Sequence, residues 1–390
     1  MCKRLKILAL EPFYGGSHQA FLDGWIKHSR HEWQLLELPD YKWKWRMRHA
    51  GITFARRVHD LTRSGRTWDA IWCSDMLHLP DFIALADRSL TTLPRIIYFH
   101  ENQFTYPNQQ ANQRDYHYAF SNYLSALAAD SVWFNSRFHQ SEFLNACESF
   151  LKRMPDNSDV ENVEAIRAKS LVQYPGVDFD DSRNTVKNDS HTIRILWNAR
   201  WEHDKNPEDF FHAIRSLKSA GLSFRLNVVG QSFGNVPPVF ETARTEFAHE
   251  IDHWGYASSR QSYLKILQES DVVISTANHE FFGIGVVEAM SMGVVPLLPT
   301  RLSYPELLEP LTTPSTEALT YDGSVDDLVK AFQQIRSIRS SNAWGTLVDE
   351  IESCGRRFAW KNRAEQMDDA VRAVHAKHCE RKADYGNEPE

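Results

Sequence analysis

Apolar positions along this chain fall into short runs, each followed by a longer stretch with apolar residues three and four positions apart. Lys6–Leu10 reads as a buried strand and Trp33–Leu38 as a second. Ala70–Cys73, Arg95–Phe99 and Ser131–Phe134 read as three more. Amphipathic segments lie between them, at His18–His28, Leu79–Arg88 and Phe138–Leu151. Strand and helix alternating at this spacing predict a parallel α/β sheet with helices on both faces. From residue 156 to 190 the chain turns polar. Pro155–Asp159 and Asp180–Ser190 read as loops, the second as a domain boundary. The pattern then restarts, with strands at Thr192–Trp197, Phe224–Val229, Asp271–Ser275 and Val294–Leu298 and a helix at Asn206–Leu217. The expected fold is two Rossmann-like, doubly wound halves, 1–182 and 190–357, followed by a terminal helix over 358–378 and a frayed tail from Cys379. Open sheets of this kind bind ligands beyond the carboxyl ends of their strands, so two facing sheets would hold a ligand in the cleft between them.

With 390 residues, 42 % hydrophobic and 24 % charged, the composition is that of an ordinary globular protein with room for two cores. The five cysteines are far apart and form no CxxC pair, which excludes a disulfide framework and a zinc ribbon and suits a reducing compartment. No apolar run approaches the roughly 18 residues of a membrane span, so the expected location is the cytoplasm, without stable membrane association. The net charge of −7 argues against nucleic acid, but its distribution does not. Between Asp40 and Arg66 stand Lys42, Lys44, Arg46, Arg48, Arg56, Arg57, Arg63 and Arg66, against only Asp40 and Asp60. Tyr41, Trp43 and Trp45 interleave with the first four. Cations contact phosphates and flat rings stack on splayed bases, as single-stranded RNA is read. Over Arg56–Arg66 a solvated basic helix is the better reading. Over Tyr41–Arg48, RNA contact and a helix whose tryptophans pack on the domain both stay open.

Two motifs carry chemistry. In Asn278–Met290 two carboxylates, Glu280 and Glu288, flank Phe281-Phe282-Gly283-Ile284-Gly285, after a strand and before a helical run. Glycines let backbone approach a ligand closely, and a helix start offers unpaired N–H groups to a phosphate or sugar hydroxyl. Carboxylates accept from sugar and ribose hydroxyls. The plainer alternative is a glycine-bearing turn with two surface glutamates. In Asn198–Pro207, Arg200 and Lys205 precede a helix that opens at Pro207, and a fork plus a point charge suits a diphosphate. A solvated basic pair is the alternative. Earlier in the chain, Phe99-His100-Glu101-Asn102-Gln103 places four polar residues at a strand end, where burial without partners is costly. No His/Asp/Glu set has metal-ligand spacing, so no metal is expected.

Taken in order, Arg200, Lys205 and Glu280-x7-Glu288 resemble the second domain of GT-B glycosyltransferases of the large family 4. Tyr174–Asp178 and Phe358–Lys361 resemble the segments that such enzymes place before the linker and at a terminal helix crossing back to the first domain. Leu10–His18, Trp43–Arg46 and Tyr98–Gln103 are similar to the tRNA-queuosine mannosyltransferase family. The resemblance implies transfer of mannose from GDP-mannose, with retention of configuration and no cofactor, to the cyclopentenediol of queuosine in the anticodon of tRNA(Asp). It implies that Arg200 and Lys205 hold the donor diphosphate, Glu280 the donor-sugar hydroxyls and Glu288 the ribose. The backbone of Phe281, Gly283, Ile284 and Gly285 would meet sugar or phosphate, Gly15 and Gly16 would line the cleft, and His100 would reach the reacting sugar. Acceptor contacts would come from His18, Lys42, Trp43, Lys44, Trp45, Arg46, Arg48, Glu101, Asn102 and Gln103. Family 4 enzymes ordinarily carry a different glycine loop, and His18 has no equivalent in many of them. Three rival readings remain on this fold: a transferase with a polysaccharide or lipid acceptor, a sugar-nucleotide epimerase or phosphorylase, and an RNA-binding protein without activity, against which the intact charged set argues.

Overall fold

In the computed structural model the described residues are 4–107, 115–179, 192–232, 234, 236–311 and 314–385. The chain divides into two compact units, Met1–Gly176 together with Trp360–Glu390, and Val177–Ala359. The division thus falls upstream of the expected boundary. The linker expected at Asp180–Ser190 lies outside the described residues.

The first unit contains β1 (Lys6–Tyr14), β2 (Glu32–Pro39), β3 (Ala70–Ser74), β4 (Arg95–Phe99), β5 (Ser131–Phe134) and β6 (Ser170–Val172), all parallel, in the order β2-β1-β3-β4-β5-β6. Side chains of a strand alternate between the faces of its sheet, and both faces here are covered. Leu8, Leu10, Ile71, Cys73, Ile97, Phe99, Val132 and Phe134 enter one core. Their neighbours Ile7, Ala9, Ala70, Trp72, Ile96, Tyr98 and Trp133 enter the other. This is why these strands read as unbroken apolar runs.

The second of these cores is closed by the helix Gly16–His28 and the terminal helix Trp360–Tyr385, through Phe21, Trp25, Trp360 and Met367. Buried Asp368 accepts from Trp25 Nε1 at 2.9 Å, Ser29 Oγ at 2.8 Å and the Arg30 backbone N–H at 2.7 Å. Gly24 and Gly176 meet the Trp360 indole so closely that a Cβ at either would overlap it. The terminal helix continues through Cys379, where the sequence suggested fraying.

The second unit contains β7 (Ile193–Asn198), β8 (Phe224–Val229), β9 (Ile251–Gly255), β10 (Val272–Ile274), β11 (Val295–Pro299) and β12 (Thr320–Tyr321), again all parallel, in the order β12-β11-β10-β7-β8-β9. Each sheet therefore reverses its strand order once, between β1 and β3 in the first unit and between β7 and β10 in the second. Connections leave such a point in opposite directions and open a crevice at the carboxyl ends of the two strands. Among the described residues no helix is long and apolar enough to cross a membrane.

Candidate active site

In the second unit a pocket lies at the reversal point, lined by Asn198 at the end of β7, Ser275 just after β10, and Lys205, Glu280, Gly283, Gly285 and Tyr304. Two loops that are far apart in sequence build it. The Asp204 carbonyl accepts the backbone N–H of Asn278 at 2.8 Å, and Thr276 Oγ1 donates to the Asn206 carbonyl at 2.8 Å. Asn206 stands at φ +51°, and its side chain accepts from Asp209 N–H as the cap of a helix that opens at Pro207, as expected.

Lys205 is only 6 % exposed. Its Nζ donates to the His279 carbonyl at 2.7 Å and lies 3.2 Å from Glu280 Oε2 and 3.1 Å from Asp204 Oδ2. A buried ammonium needs such company. Burial raises the Glu280 pKa, but the charge and hydrogen bond of Lys205 outweigh it, and the net shift is downward. Burial, reinforced by Lys205, pushes His279 down to about 4, which leaves it neutral. Arg200 is exposed and lies 3.2 Å from Glu202 Oε2.

Glu288 lies on the helix Ile284–Ser291, which Gly283 caps at φ +88°. Tyr263 donates to its Oε2 at 2.7 Å and Arg260 to its Oε1 at 2.6 Å. Asn198 in turn donates to Tyr263 at 2.7 Å and to the Gly285 carbonyl at 3.0 Å. A Cβ on Gly285 would stand 2.9 Å from Asn198 Nδ2, so the close approach requires glycine there. Phe281 and Phe282 are buried, whereas Ile284 is partly exposed. The structure thus joins Lys205, Glu280 and the glycine turn in one pocket. It adds Asn198, Tyr263, Arg260 and Tyr304, for which the sequence offered no signal beyond a polar residue at a strand end.

The first unit has its own cluster at the β1/β3 reversal. His18 stands in the first turn of the helix Gly16–His28, and His100 follows β4. Their rings lie 4.0 Å apart, tilted by 32°. Gly16 takes φ +53°, while Gly15 is extended and packed tightly on Asp40. Two residues absent from the sequence reading complete the cluster. β1 runs four residues past its apolar run, so Glu11 is a strand residue, fully buried. Asp75 follows β3, also fully buried, and accepts the His100 backbone N–H at 2.9 Å. His18 Nδ1 is 3.3 Å from Glu11 Oε1, an ion-pair distance outside hydrogen-bond geometry. Burial alone would lower the His18 pKa, but Glu11, Asp75 and Glu101 push it up to about 9. Burial and the charge of His18 hold His100 well below the usual imidazole value. Burial raises Asp75 well above the usual carboxylate range, against the pull of His18.

Spacing along the sequence showed no metal-ligand set in this cluster. Glu11, His18 and His100 offer ligand atoms that all lie within 4.8 Å of one another. Sequence spacing hid them because three separate elements converge at the reversal point.

Of the remaining acceptor-side expectations, Asn102 is fully buried and its Oδ1 accepts from Phe104 and Thr105 N–H within its own turn, at 3.0 Å each. Gln103 is buried beside it and donates to Glu101 Oε1 at 3.0 Å. The basic segment opens the helix Trp43–Arg63. Trp43 packs on Tyr118 at 5.1 Å, and Arg46 donates to the Pro39 carbonyl at 2.9 Å, so both serve the fold. Tyr41 and Trp45 are 63 % and 61 % exposed, and Lys42, Lys44 and Arg48 are exposed around them.

Comparison with known proteins agrees with both halves. Residues 178–344 match the glycosyl transferases group 1 family, and residues 6–177 match the tRNA-queuosine alpha-mannosyltransferase N-terminal family. The catalytic domain of starch synthase IV from Arabidopsis thaliana, bound to ADP and acarbose, superposes with a TM-score of 0.70 at 12 % identity, over 96 % of this chain and 99 % of that one. Likeness to solved glycosyltransferases at this level shows the GT-B fold. A GDP-mannose-dependent alpha-(1-6)-phosphatidylinositol dimannoside mannosyltransferase of Mycobacterium tuberculosis is 25 % identical over 53 % of each chain. The tRNA-queuosine alpha-mannosyltransferase of Drosophila melanogaster is 36 % identical over 316 residues, 78 % of this chain and 82 % of that one. The two family matches together span residues 6–344, and with a relative of that identity and coverage the chain belongs to the tRNA-queuosine alpha-mannosyltransferase family.

Proposed function

We propose that this chain transfers mannose from GDP-mannose to the cyclopentenediol of queuosine in the anticodon of tRNA(Asp), with retention of configuration and in the cytoplasm. The observation that carries the reading is the family match over 6–177, whose described function is queuosine mannosylation, on a chain whose second unit holds an intact Lys205–Glu280 pair. Mannose and its GDP carrier are supported by the two relatives, one acting on queuosine tRNA and one GDP-mannose-dependent. A cytoplasmic site is supported by Cys73, Cys147, Cys354 and Cys379, all unpaired.

In the proposed reaction the acceptor oxygen bonds to the anomeric carbon as the bond to the donor phosphate breaks, and the acceptor proton leaves with the phosphate. Negative charge grows on the leaving diphosphate. Lys205, fixed by three oxygens, and the first-turn N–H groups of the helix Ile284–Ser291 answer that charge without rearranging. Arg200 supplies a fork from the exposed side of the loop. Glu280, kept ionised by Lys205, accepts from the sugar hydroxyls, and Glu288, oriented by Arg260 and Tyr263, accepts from the ribose. On the acceptor side, Tyr41 and Trp45 offer stacking faces, and Lys42, Lys44 and Arg48 offer phosphate contacts. His18, His100 and Glu101 are among the polar groups at the carboxyl ends of the first sheet, where an acceptor hydroxyl would bind.

The test is incubation of the protein with GDP-mannose and queuosine-bearing tRNA(Asp), followed by mass spectrometry of the digested nucleosides. A gain of one hexose on queuosine is expected. GDP-mannose bound or hydrolysed with no gain would reject the acceptor, and transfer to lipid vesicles instead would favour a glycolipid substrate. No binding of the donor would reject the Lys205–Glu280 assignment.

A further inference from the structure

The cluster at the β1/β3 reversal differs from ordinary buried polar groups in one respect. Glu11 Oε2, His18 Nδ1, Asp75 Oδ2 and His100 Nε2 are all buried and have no hydrogen-bond partner among the described residues. Buried polar atoms in native proteins are nearly always paired, and each exception calls for a cause. Here four exceptions fall together, two of them carboxylate oxygens and two imidazole nitrogens. Those are the donor types that ligate metals.

The surroundings match such a role. Glu11 Oε1 is held by Ser74 Oγ at 2.8 Å and the Phe13 backbone N–H at 2.9 Å, which fixes the carboxylate and leaves Oε2 unbonded. Ligating carboxylates are commonly braced in this way. Asp75 is anchored likewise, through Oδ1 to the His100 backbone N–H, which also positions the ring-bearing residue. The two rings lie 4.0 Å apart, close enough for neighbouring ligands of one ion. Buried Glu11 and Asp75 place two carboxyl groups beside the rings, and a divalent cation would favour their ionised form.

We propose that Glu11, His18 and His100 bind one divalent transition-metal ion of the zinc type, with Asp75 as the neighbouring carboxylate that balances its charge. Two imidazoles and one carboxylate suit zinc, iron or cobalt, whereas magnesium and calcium prefer oxygen ligands. Three protein ligands leave a fourth position open for water or a substrate oxygen. The proposal does not depend on which acceptor the enzyme uses, because it is read without sugar or RNA.

Tag-free protein is stripped with a chelator and titrated with Zn²⁺, and separately with Co²⁺, by calorimetry and visible absorption. Thermal unfolding is followed with and without each ion. The expected result is one ion per chain, visible Co²⁺ bands and a higher unfolding midpoint, since an ion that binds only the folded state stabilises it. Mg²⁺ should have no such effect. His18→Gln and Glu11→Gln, with folding checked by circular dichroism, should each weaken binding by at least about tenfold, the order of effect that loss of even a supporting group has on metal affinity. Wild-type protein that takes up neither Zn²⁺ nor Co²⁺ overturns the proposal, and this arm needs no variant to fold. So does uptake that survives both substitutions but is lost in Cys379→Ser, because Cys379 Sγ lies 3.8 Å from His375 Nε2 on the terminal helix and would be the true site.

Discussion

The two sheet reversals solve the burial of charge in opposite ways. In the second unit the charged groups satisfy one another. Lys205 has three oxygen neighbours, and both oxygens of Glu288 are engaged. In the first unit, two carboxylates and two imidazoles are buried together and four of their atoms have no hydrogen-bond partner among the described residues. The first arrangement is preorganised, so a ligand meets donors already aimed and no reorganisation is needed as charge develops. The second is the donor set of the proposed ion. The same topological position therefore holds a paired network in one unit and a cluster of like ligand types in the other.

The largest test of this contrast is Lys205→Met. It leaves Glu280 and Asp204 without their cation, and in the proposed reaction it removes the charge that answers the leaving phosphate. Transfer should fall on the order of 10³-fold in kcat/KM, and unfolding stability should drop by roughly 3 kcal/mol, as when one member of a buried ion pair is removed. Steady-state kinetics and denaturant titration measure the two effects. An intact rate would mean that the self-satisfied network is scaffolding alone.

Trp45→Ala should weaken binding of queuosine-bearing tRNA by about tenfold, a value within the range for one lost base stack. Affinity for GDP-mannose should not change. A change in donor affinity would show that the exposed face of the helix Trp43–Arg63 is not dedicated to the acceptor.

Tyr263→Phe removes one hydroxyl from the chain that links Asn198 to Glu288. A loss of about 1 kcal/mol is expected, seen as a several-fold rise in KM for the donor with little change in kcat. A fall in kcat alone would move Glu288 from ground-state binding into the transition state.

The smallest effect is expected from Glu11→Gln in metal-free protein. The amide oxygen can keep the bonds from Ser74 and Phe13 N–H while one of several crowded negative charges disappears. Stability should change by less than about 1 kcal/mol, because relief of like-charge crowding offsets loss of the contact with His18. A loss as large as that of Lys205→Met would abolish the distinction between the two regions.

What could be read from the sequence follows the same line. Central strands such as Arg95–Phe99, Ser131–Phe134 and Phe224–Val229 are covered on both faces and announce themselves as apolar runs. The edge or half-covered strands Ser170–Val172, Ile251–Gly255 and Thr320–Tyr321 are short or partly exposed and gave no such signal. The charges that line the pocket of the second unit come from two contiguous loops, which made them legible. Tyr304 lines it and Tyr263 bonds Glu288, both from other helices, and only the fold brings them there. Glu11 was hidden for another reason. It directly follows the apolar residues of β1 and reads as the polar end of that strand, although the strand continues to Tyr14 and buries it completely. Trp43 and Arg46 sit in a basic aromatic segment whose pattern left RNA contact and packing both open, and each makes a contact within its own unit.

The terminal helix sets an order of events during synthesis. The first unit needs Trp360 against Gly24 and Gly176 and the Asp368 carboxylate against Trp25, Ser29 and Arg30. All of Val177–Ala359 leaves the ribosome before those residues do. The inserted unit can therefore reach its native state early, as domains generally do during translation. The first unit must hold an open, tryptophan-lined groove until the helix Trp360–Tyr385 has been made. In the cell, the interval between those two moments is when chaperones have the most exposed surface to protect.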